Sequence, residues 1–461
     1  MSHNNNTPLH IAMYPWLAMG HITSFLRIGN ELAERGHKIS FFLPPKTQLR
    51  FTSHNHYPEL ITFIPIALPS VGGLPVEAET TNDVSAETRP HLMTAMDLTK
   101  DTIEAHLVDL KPDFVFFDFT CWMPELARKH GIKPIYYLTS LLVGAAYILH
   151  LSTVSPTGRP IDESLLMSPL PSFPSPFVTL QAHEARSFAG AFQLDFGGGL
   201  TFLERVRKSF IECDAFCIKT CREVERVYCE FIEKHYGKPV LTAGPVLPDP
   251  SSAKLDDRFD KWLAGFESGQ VVYCTFGSEC TLDLLSFQEL VLGLELTGRP
   301  FLAALKAPIG YETIESALPE GFLERTKETG IVYGGWVQQQ LILKHPSVGC
   351  FVTHCGAGSL SEAMVNKCQL VMIPHAVDQF INARMMSLEL KVGVEVERRD
   401  QDGFFGREDV RKAVDSVMEE NSEVGKEVRA NHAKWREFIL NDGLEESYIT
   451  SFIDSLYDLL Q

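Results

Sequence analysis

Gly349-Cys350-Phe351-Val352-Thr353-His354-Cys355-Gly356-Ala357-Gly358-Ser359-Leu360-Ser361-Glu362 holds the key to this chain. An apolar run of strand length ends in a histidine and two glycines, and helical spacing resumes at Leu360, Ala363 and Met364. A strand that feeds a helix through a Gly/Ser turn leaves backbone N–H groups converging on one spot, where the helix dipole favours an anion. Upstream, Trp336 and Gln339 offer an aromatic plane and an amide. Downstream, Pro374-His375-Ala376-Val377-Asp378-Gln379 brings a carboxylate and a second amide to the exit of the next strand. A stacking plane, a phosphate cradle and polar groups suited to hydroxyls together describe a sugar-nucleotide site.

Working outward, the same strand–turn–helix grammar recurs. Residues 9–14 read as a strand, 22–35 as an amphipathic helix ended by Gly36, and 38–43 as a second strand. Strands follow at 113–117 and 135–138, with a helix at 124–129 between them, and 215–220 also reads as strand. After an irregular middle, with six prolines in 156–176 and three consecutive glycines from Gly197, the alternation restarts at 271–276. Strands are expected near 302–305, 331–334, 350–353 and 369–373. This alternation predicts an α/β chain with two parallel, doubly wound sheets, whose ligands bind at the carboxyl ends of the strands. The expected domains are 1–243, a linker at 244–256, and 257–443. A final helix at 444–461 is expected to pack back on the first domain.

At 461 residues, two domains facing each other across a cleft are the economical reading. Hydrophobic content of 45% with 22% charged residues is that of a soluble globular protein, and a formal charge of −18 argues against nucleic acid or an anionic membrane surface. No leader pattern is visible at the start, and the longest apolar run, near 141–149, is too short for a bilayer. The ten cysteines are scattered singly, as reduced thiols in a cytoplasmic protein would be. A monomer without membrane insertion is the expectation.

The stretch 336–379 resembles the signature box of plant UDP-sugar-dependent glycosyltransferases, a family with the GT-B fold. Trp, Gln, His-Cys-Gly, Ser, Glu, Pro and Asp-Gln fall in register without a gap. The resemblance implies that Trp336 stacks on uracil, with the Val337 backbone on the base edge. It implies Gln339 and Glu362 on ribose, and His354, Ser359, Ser278 and the turn at Gly356 and Gly358 on the diphosphate. Asp378 and Gln379, joined by Thr139, would hold the transferred sugar. Pro is usual where Gln338 stands, Trp where Ala357 stands and Asn where Gly358 stands. The Gly358 form resembles the branch that extends a sugar already attached to a flavonoid. UDP-glucose, UDP-rhamnose and UDP-xylose stay open as donors, with Asp378-Gln379 favouring glucose. The expected acceptor is a sugar hydroxyl of a flavonoid 3-O-glycoside; an aglycone hydroxyl, of a flavonoid or terpenoid, and a catalytically silent UDP-sugar binder are the alternatives.

Chemistry points to His21 and Asp118. His21 opens a helix at the carboxyl edge of the first strand, where the dipole disfavours imidazolium and keeps the ring able to take a proton. Asp118 ends another strand and should emerge on the same edge, able to fix the imidazole tautomer. The resemblance gives this pair the base and its orienting carboxylate in an inverting transfer that needs no metal. Phe119, Trp122, Phe188, Phe192 and Phe196 would suit a planar acceptor. Three patterns are set aside: the Cys213/Cys217/Cys221 series as a metal site, Asp400-Gln401-Asp402 as a metal-binding pair, and Gly197 to Gly199 as a phosphate loop rather than a flexible acceptor-side loop.

Overall fold

The computed structural model describes residues 7–155, 160–248, 254–277 and 280–461, which leaves Ser278 and part of the 244–256 stretch outside the described residues. Seven strands, β1 (His10–Tyr14), β2 (Lys38–Leu43), β3 (Ile61–Pro65), β4 (Phe114–Phe117), β5 (Lys133–Leu138), β6 (Ala215–Ile218) and β7 (Val240–Thr242), form one sheet. Its order is β3-β2-β1-β4-β5-β6-β7, with every pairing parallel. Six more, β8 (Val271–Thr275), β9 (Phe301–Ala304), β10 (Gly330–Tyr333), β11 (Val348–Thr353), β12 (Gln369–Met372) and β13 (Gly393–Glu395), form a second sheet. They run in the order β10-β9-β8-β11-β12-β13, again all parallel.

Parallel sheets are covered by helices on both faces, so their central strands are apolar throughout rather than alternating. Ile11 to Tyr14, Phe114 to Phe117 and Val271 to Cys274 are accordingly sealed from solvent. In both sheets the order reverses once, between β1 and β4 and between β8 and β11. The connections at such a point leave toward opposite faces, and the strand ends between them stay open to a ligand.

The chain divides into two units: Met1–Ile161, Gly190–Gly244 and Glu445–Gln461 in the first, Asp162–Ala189 and Pro245–Leu444 in the second. Residues 162–189 thus depart from the expected 1–243 assignment. Their anchors explain it: Ala182 N–H donates to Asp400 Oδ1 at 2.9 Å, and buried Glu184 pairs with Arg384 at 2.6 Å. Asp400, expected as a solvated loop residue, therefore has a structural partner.

The last helix, Leu444–Leu459, lays Ile449, Phe452 and Leu456 into the core of the first unit. Phe452 meets Phe116 of β4 edge-on at 6.4 Å. Truncating a ring buried this way costs about 3–5 kcal/mol. Lys219, just past β6, locks the same corner: its buried ammonium reaches Glu31 at 2.6 Å, Glu445 at 3.1 Å and the Ala243 carbonyl at 3.0 Å. In the second unit, helices Leu284–Leu296 and Arg407–Met418 pack together on the sheet. Among the described residues no helix is long and apolar enough to cross a membrane, and all ten cysteines are free, nine of them buried.

His432, buried on helix Glu423–Ile439, donates from Nε2 to the Ala363 carbonyl at 3.1 Å and braces helix Ala357–Val365. Burial holds its pKa below the usual histidine value, against the upward pull of that hydrogen bond. The unfolded chain therefore binds the proton first as pH falls below about 6.5, and stability drops there. Replacing His432 by Gln keeps a donor but removes that proton. The variant's loss of stability between pH 7.5 and 5.5, measured by urea unfolding, should be smaller than wild type's by up to about 1.4 kcal/mol per pH unit.

Candidate active site

The first unit gathers its polar groups at the β1/β4 reversal. His21 is the third residue of helix Met19–Glu34, whose N-cap Ala18 supplies no side-chain acceptor, so the first-turn N–H groups and their positive field lie beside the ring. Asp118, directly after β4, is buried, and a buried carboxylate is tolerable only when donors surround it. Its Oδ1 accepts the N–H groups of Trp16 at 2.7 Å and Phe119 at 2.6 Å, while Oδ2 lies 2.7 Å from His21 Nδ1. An ionised carboxylate only accepts, so Nδ1 carries the proton and Nε2 keeps its lone pair. Thr139, at the end of the neighbouring β5, places Oγ1 3.0 Å from Nδ1 and 3.4 Å from Nε2. The histidine side chain keeps 23% exposure against 1% for the aspartate, so the ring reaches solvent while its orienter does not.

Aromatic rings border this pair. Phe119 lies 5.3 Å from the His21 ring, and Trp16 packs 6.2 Å from Phe119 and 5.4 Å from Phe196. Phe119 and Phe196 are half-buried and present ring surface. Trp122, Phe188 and Phe192 are instead buried, and Trp122 Nε1 donates to Asp97 at 2.9 Å. Helical spacing of Phe188 and Phe192 could not distinguish a pocket wall from core.

In the second unit, His354 follows β11 at the β8/β11 reversal and faces Gly277 at the end of β8. A Cβ on Gly277 or Gly356 would sit 3.0 or 2.7 Å from the imidazole, so a side chain at either position would crowd the ring. Gly356 caps helix Ala357–Val365 without a side-chain acceptor, leaving its first N–H groups open. Beside Gly358 nothing lies within 4 Å of where a Cβ would stand. On this helix Ser359 and Glu362 share a face, and Gln339 joins them: its amide donates to Glu362 at 2.5 Å and to Ser359 at 3.2 Å. Gln340 donates to the other Glu362 oxygen at 3.1 Å. Trp336 is 83% exposed, an uncommon state for an indole and one that suits a stacking surface. Gln338 has its own task, accepting from Asp256 N–H at 2.7 Å and donating to the Lys254 carbonyl at 2.8 Å.

Backbone strain collects here. Cys355 (φ +69°) and Val377 (φ +35°) lie in the left-handed region that L side chains avoid, at about 1–3 kcal/mol each. Cys355 lies between His354 and Gly356, and Val377 precedes Asp378. Gln379 Oε1 accepts the N–H groups of His375 and Ala376 at 3.0 and 3.1 Å, closing the second turn. Burial, with Arg398 and His354 nearby, takes the His375 pKa down to about 3 and keeps it neutral. Asn382, fully buried, donates to the Cys355 carbonyl at 3.1 Å and to Asp378 at 3.4 Å, linking both turns. It was missed in the sequence, although its place four residues after Asp378 puts the two on one helix face. Thr139, expected with Asp378 and Gln379 to hold the transferred sugar, contacts His21 within the first unit. Val337 sits between Trp336 and this cluster, its carbonyl accepting from Gln339 N–H at 3.0 Å.

A family model described as UDP-glucoronosyl and UDP-glucosyl transferase matches residues 315–428. The chain is 55% identical to a cyanidin 3-O-galactoside 2''-O-xylosyltransferase of Actinidia chinensis var. chinensis, over 98% of each chain. It is 51% identical to an anthocyanidin 3-O-glucoside 2''-O-glucosyltransferase of Ipomoea nil, over 98% of this chain and 99% of that one. Among solved structures, apo UGT2 of Phytolacca americana superposes with a TM-score of 0.79 at 23% identity, over 98% of this chain and 100% of the other, which shows the fold. Relatives this similar over almost the entire length establish that the protein, an α/β chain of GT-B class, belongs to the UDP-glycosyltransferase family and is a UDP-sugar-dependent transferase.

Proposed function

We propose that the enzyme transfers a sugar, with inversion, from a UDP-sugar to a sugar hydroxyl of a flavonoid 3-O-glycoside. The observation that carries the mechanism is the 2.7 Å bond between His21 Nδ1 and Asp118, which leaves Nε2 basic. Nε2 takes the acceptor hydroxyl proton as oxygen attacks the anomeric carbon opposite the departing UDP. Asp118, already solvated by two backbone N–H groups, stabilises the imidazolium that forms. The second unit recognises the donor: Trp336 and the Val337 backbone take uracil, and Gln339 and Glu362 the ribose. His354, Ser359, Ser278 and the N–H groups of the turn at Gly356 and Gly358 take the diphosphate, where charge develops on the leaving group. Asp378 and the Gln379 amide take the sugar.

The acceptor assignment is supported by relatives named for transfer to the 2''-hydroxyl of an anthocyanidin glycoside. Those relatives carry xylosyl and glucosyl names, which keeps both donors open. Asp378 and Gln379 favour UDP-glucose over UDP-xylose and UDP-rhamnose. The buried free thiols and the acidic surface fit a cytoplasmic monomer.

The deciding assay crosses UDP-glucose, UDP-xylose and UDP-rhamnose with a flavonol 3-O-glucoside and its aglycone, read by mass. One added sugar on the glucoside alone is expected, and efficient transfer to the aglycone would overturn the acceptor assignment. His21→Ala should bind UDP as wild type does yet lose about 10²–10⁴-fold in kcat. Undiminished transfer by that variant would end the proposed role of His21.

A further inference from the structure

Arg205 is the largest side chain that the fold seals completely from solvent. It stands in the first turn and a half of helix Phe202–Glu212, whose Thr201/Glu204 capping box fixes the helix start. Its guanidinium grips Asp97 with two parallel bonds, Nη1 to Oδ1 at 3.0 Å and Nη2 to Oδ2 at 2.6 Å. The same two nitrogens reach outward: Nη2 donates to the Gly197 carbonyl at 2.8 Å, Nη1 to the Phe119 carbonyl at 3.3 Å, and Nη1 also lies 3.7 Å from Cys121 Sγ. One planar fork therefore holds two loops at once, the segment after Asp118 and the triple-glycine loop.

That loop was expected to be a flexible acceptor-side loop; the structure gives it hydrogen bonds of its own. Phe196 N–H donates to the Leu200 carbonyl at 2.8 Å, Gly197 N–H to Asp195 at 2.8 Å, and Asp195 bridges Thr201. Gly197 has φ +92°, and a Cβ there would stand 3.0 Å from the Thr94 nitrogen, so glycine is what lets the loop lie on helix Arg89–Asp97. Phe196 is carried by this loop, while Phe119 is bonded through its N–H to Asp118 and lies against the His21 ring. The rings of Phe119 and Phe196 are 6.1 Å apart and edge-on.

A buried ion pair contributes little net stability, because desolvating two charges offsets their attraction, and an apolar pair of equal volume serves as well. Arginine instead supplies a rigid fork of donors with fixed directions. We propose that Arg205 is a positioning residue for acceptor selection: by holding the carbonyls of Phe119 and Gly197 it sets the Phe119 ring beside His21 and the Phe196 ring beside Phe119, the surface against which the flavonoid glycoside lies. This rests on the reading of His21 as the base and of its aromatic border as the acceptor side. The carbonyl held at Phe119 belongs to the residue whose N–H orients Asp118, so displacement of that peptide also reaches the base. Donor recognition, assigned to residues of the second unit, is left untouched.

The test uses the full-length enzyme with steady-state kinetics in both substrates. Arg205→Met keeps side-chain volume and Arg205→Lys keeps charge; neither keeps the fork. Both should raise the acceptor KM about ten- to a hundredfold and narrow the preference for the glucoside over the aglycone, while the KM for the UDP-sugar stays within about twofold. Phe196→Leu should move acceptor kinetics in the same direction, and adding it to Arg205→Met should do less than the product of the single effects. An acceptor KM unchanged in folded Arg205 variants, or a donor KM rising in step with it, overturns the proposal. If neither Arg205 variant folds, Phe196→Leu decides: an unchanged acceptor KM overturns it, and a raised one with unchanged donor KM upholds it. Full activity of His21→Ala would instead indict the underlying reading of the site, so the two failures are distinguishable.

Discussion

A carboxylate with no access to water must be surrounded by donors, and Asp118 meets that demand with the N–H groups of Trp16 and Phe119 and the imidazole of His21. The three donors come from the loop after β1, the loop after β4 and the helix that follows β1, so satisfying one charge fixes three chain segments. It works because β1 and β4 are neighbours in a parallel sheet and their carboxyl ends emerge together. The connections diverge there, which in a doubly wound sheet leaves the strand ends available to a ligand. The second sheet repeats this geometry at β8 and β11, where Gly277 and His354 meet.

Buried charge organises the rest of each unit in the same way. Lys219 draws together the first helix, the end of β7 and the final helix, and Arg384 does so for the 162–189 segment through Glu184. Arg205 joins two loops through carbonyl oxygens. None of these groups is an efficient source of net stability. Their common property is directionality, which apolar packing lacks: a hydrophobic contact tolerates a shift that would break a 2.8 Å bond. Where the backbone is strained, at Cys355 and Val377, the buried amide of Asn382 sits between the two turns and ties them.

Most strands legible in the sequence are buried ones, with β10, a partly exposed edge strand, the exception. Continuous apolar runs marked β1, β4, β8, β11 and β12 because both faces of a parallel sheet are covered. The three that went unread, β3, β7 and β13, are all at sheet edges, where strands are short or partly exposed and the apolar run is lost. Residues 162–189 were placed in the wrong unit for a related reason. Their ties to the second unit, the Glu184–Arg384 ion pair and the Ala182–Asp400 hydrogen bond, join residues some two hundred positions apart and leave no periodic trace. Phe188 and Phe192, expected to suit a planar acceptor, are buried, and helical spacing reports only that a face is buried, not what it is buried against.

The constellation proposed for the donor was readable by itself, since strand, turn and helix are contiguous and local spacing decides which side chains share a face. His354, Gly356, Ser359 and Glu362 stood in register before any fold was known. The proposed base, His21, and its partner Asp118 could be nominated, since both stand where strands end, but their 2.7 Å contact spans 97 positions and exists only because β1 and β4 pair. The place of Thr139 against His21, the tie of Asn382 to Cys355, and the fork of Arg205 are likewise products of tertiary structure. Local chemistry determines which groups a segment can offer, while long-range pairing, whose partners the sequence does not name, determines which of them meet.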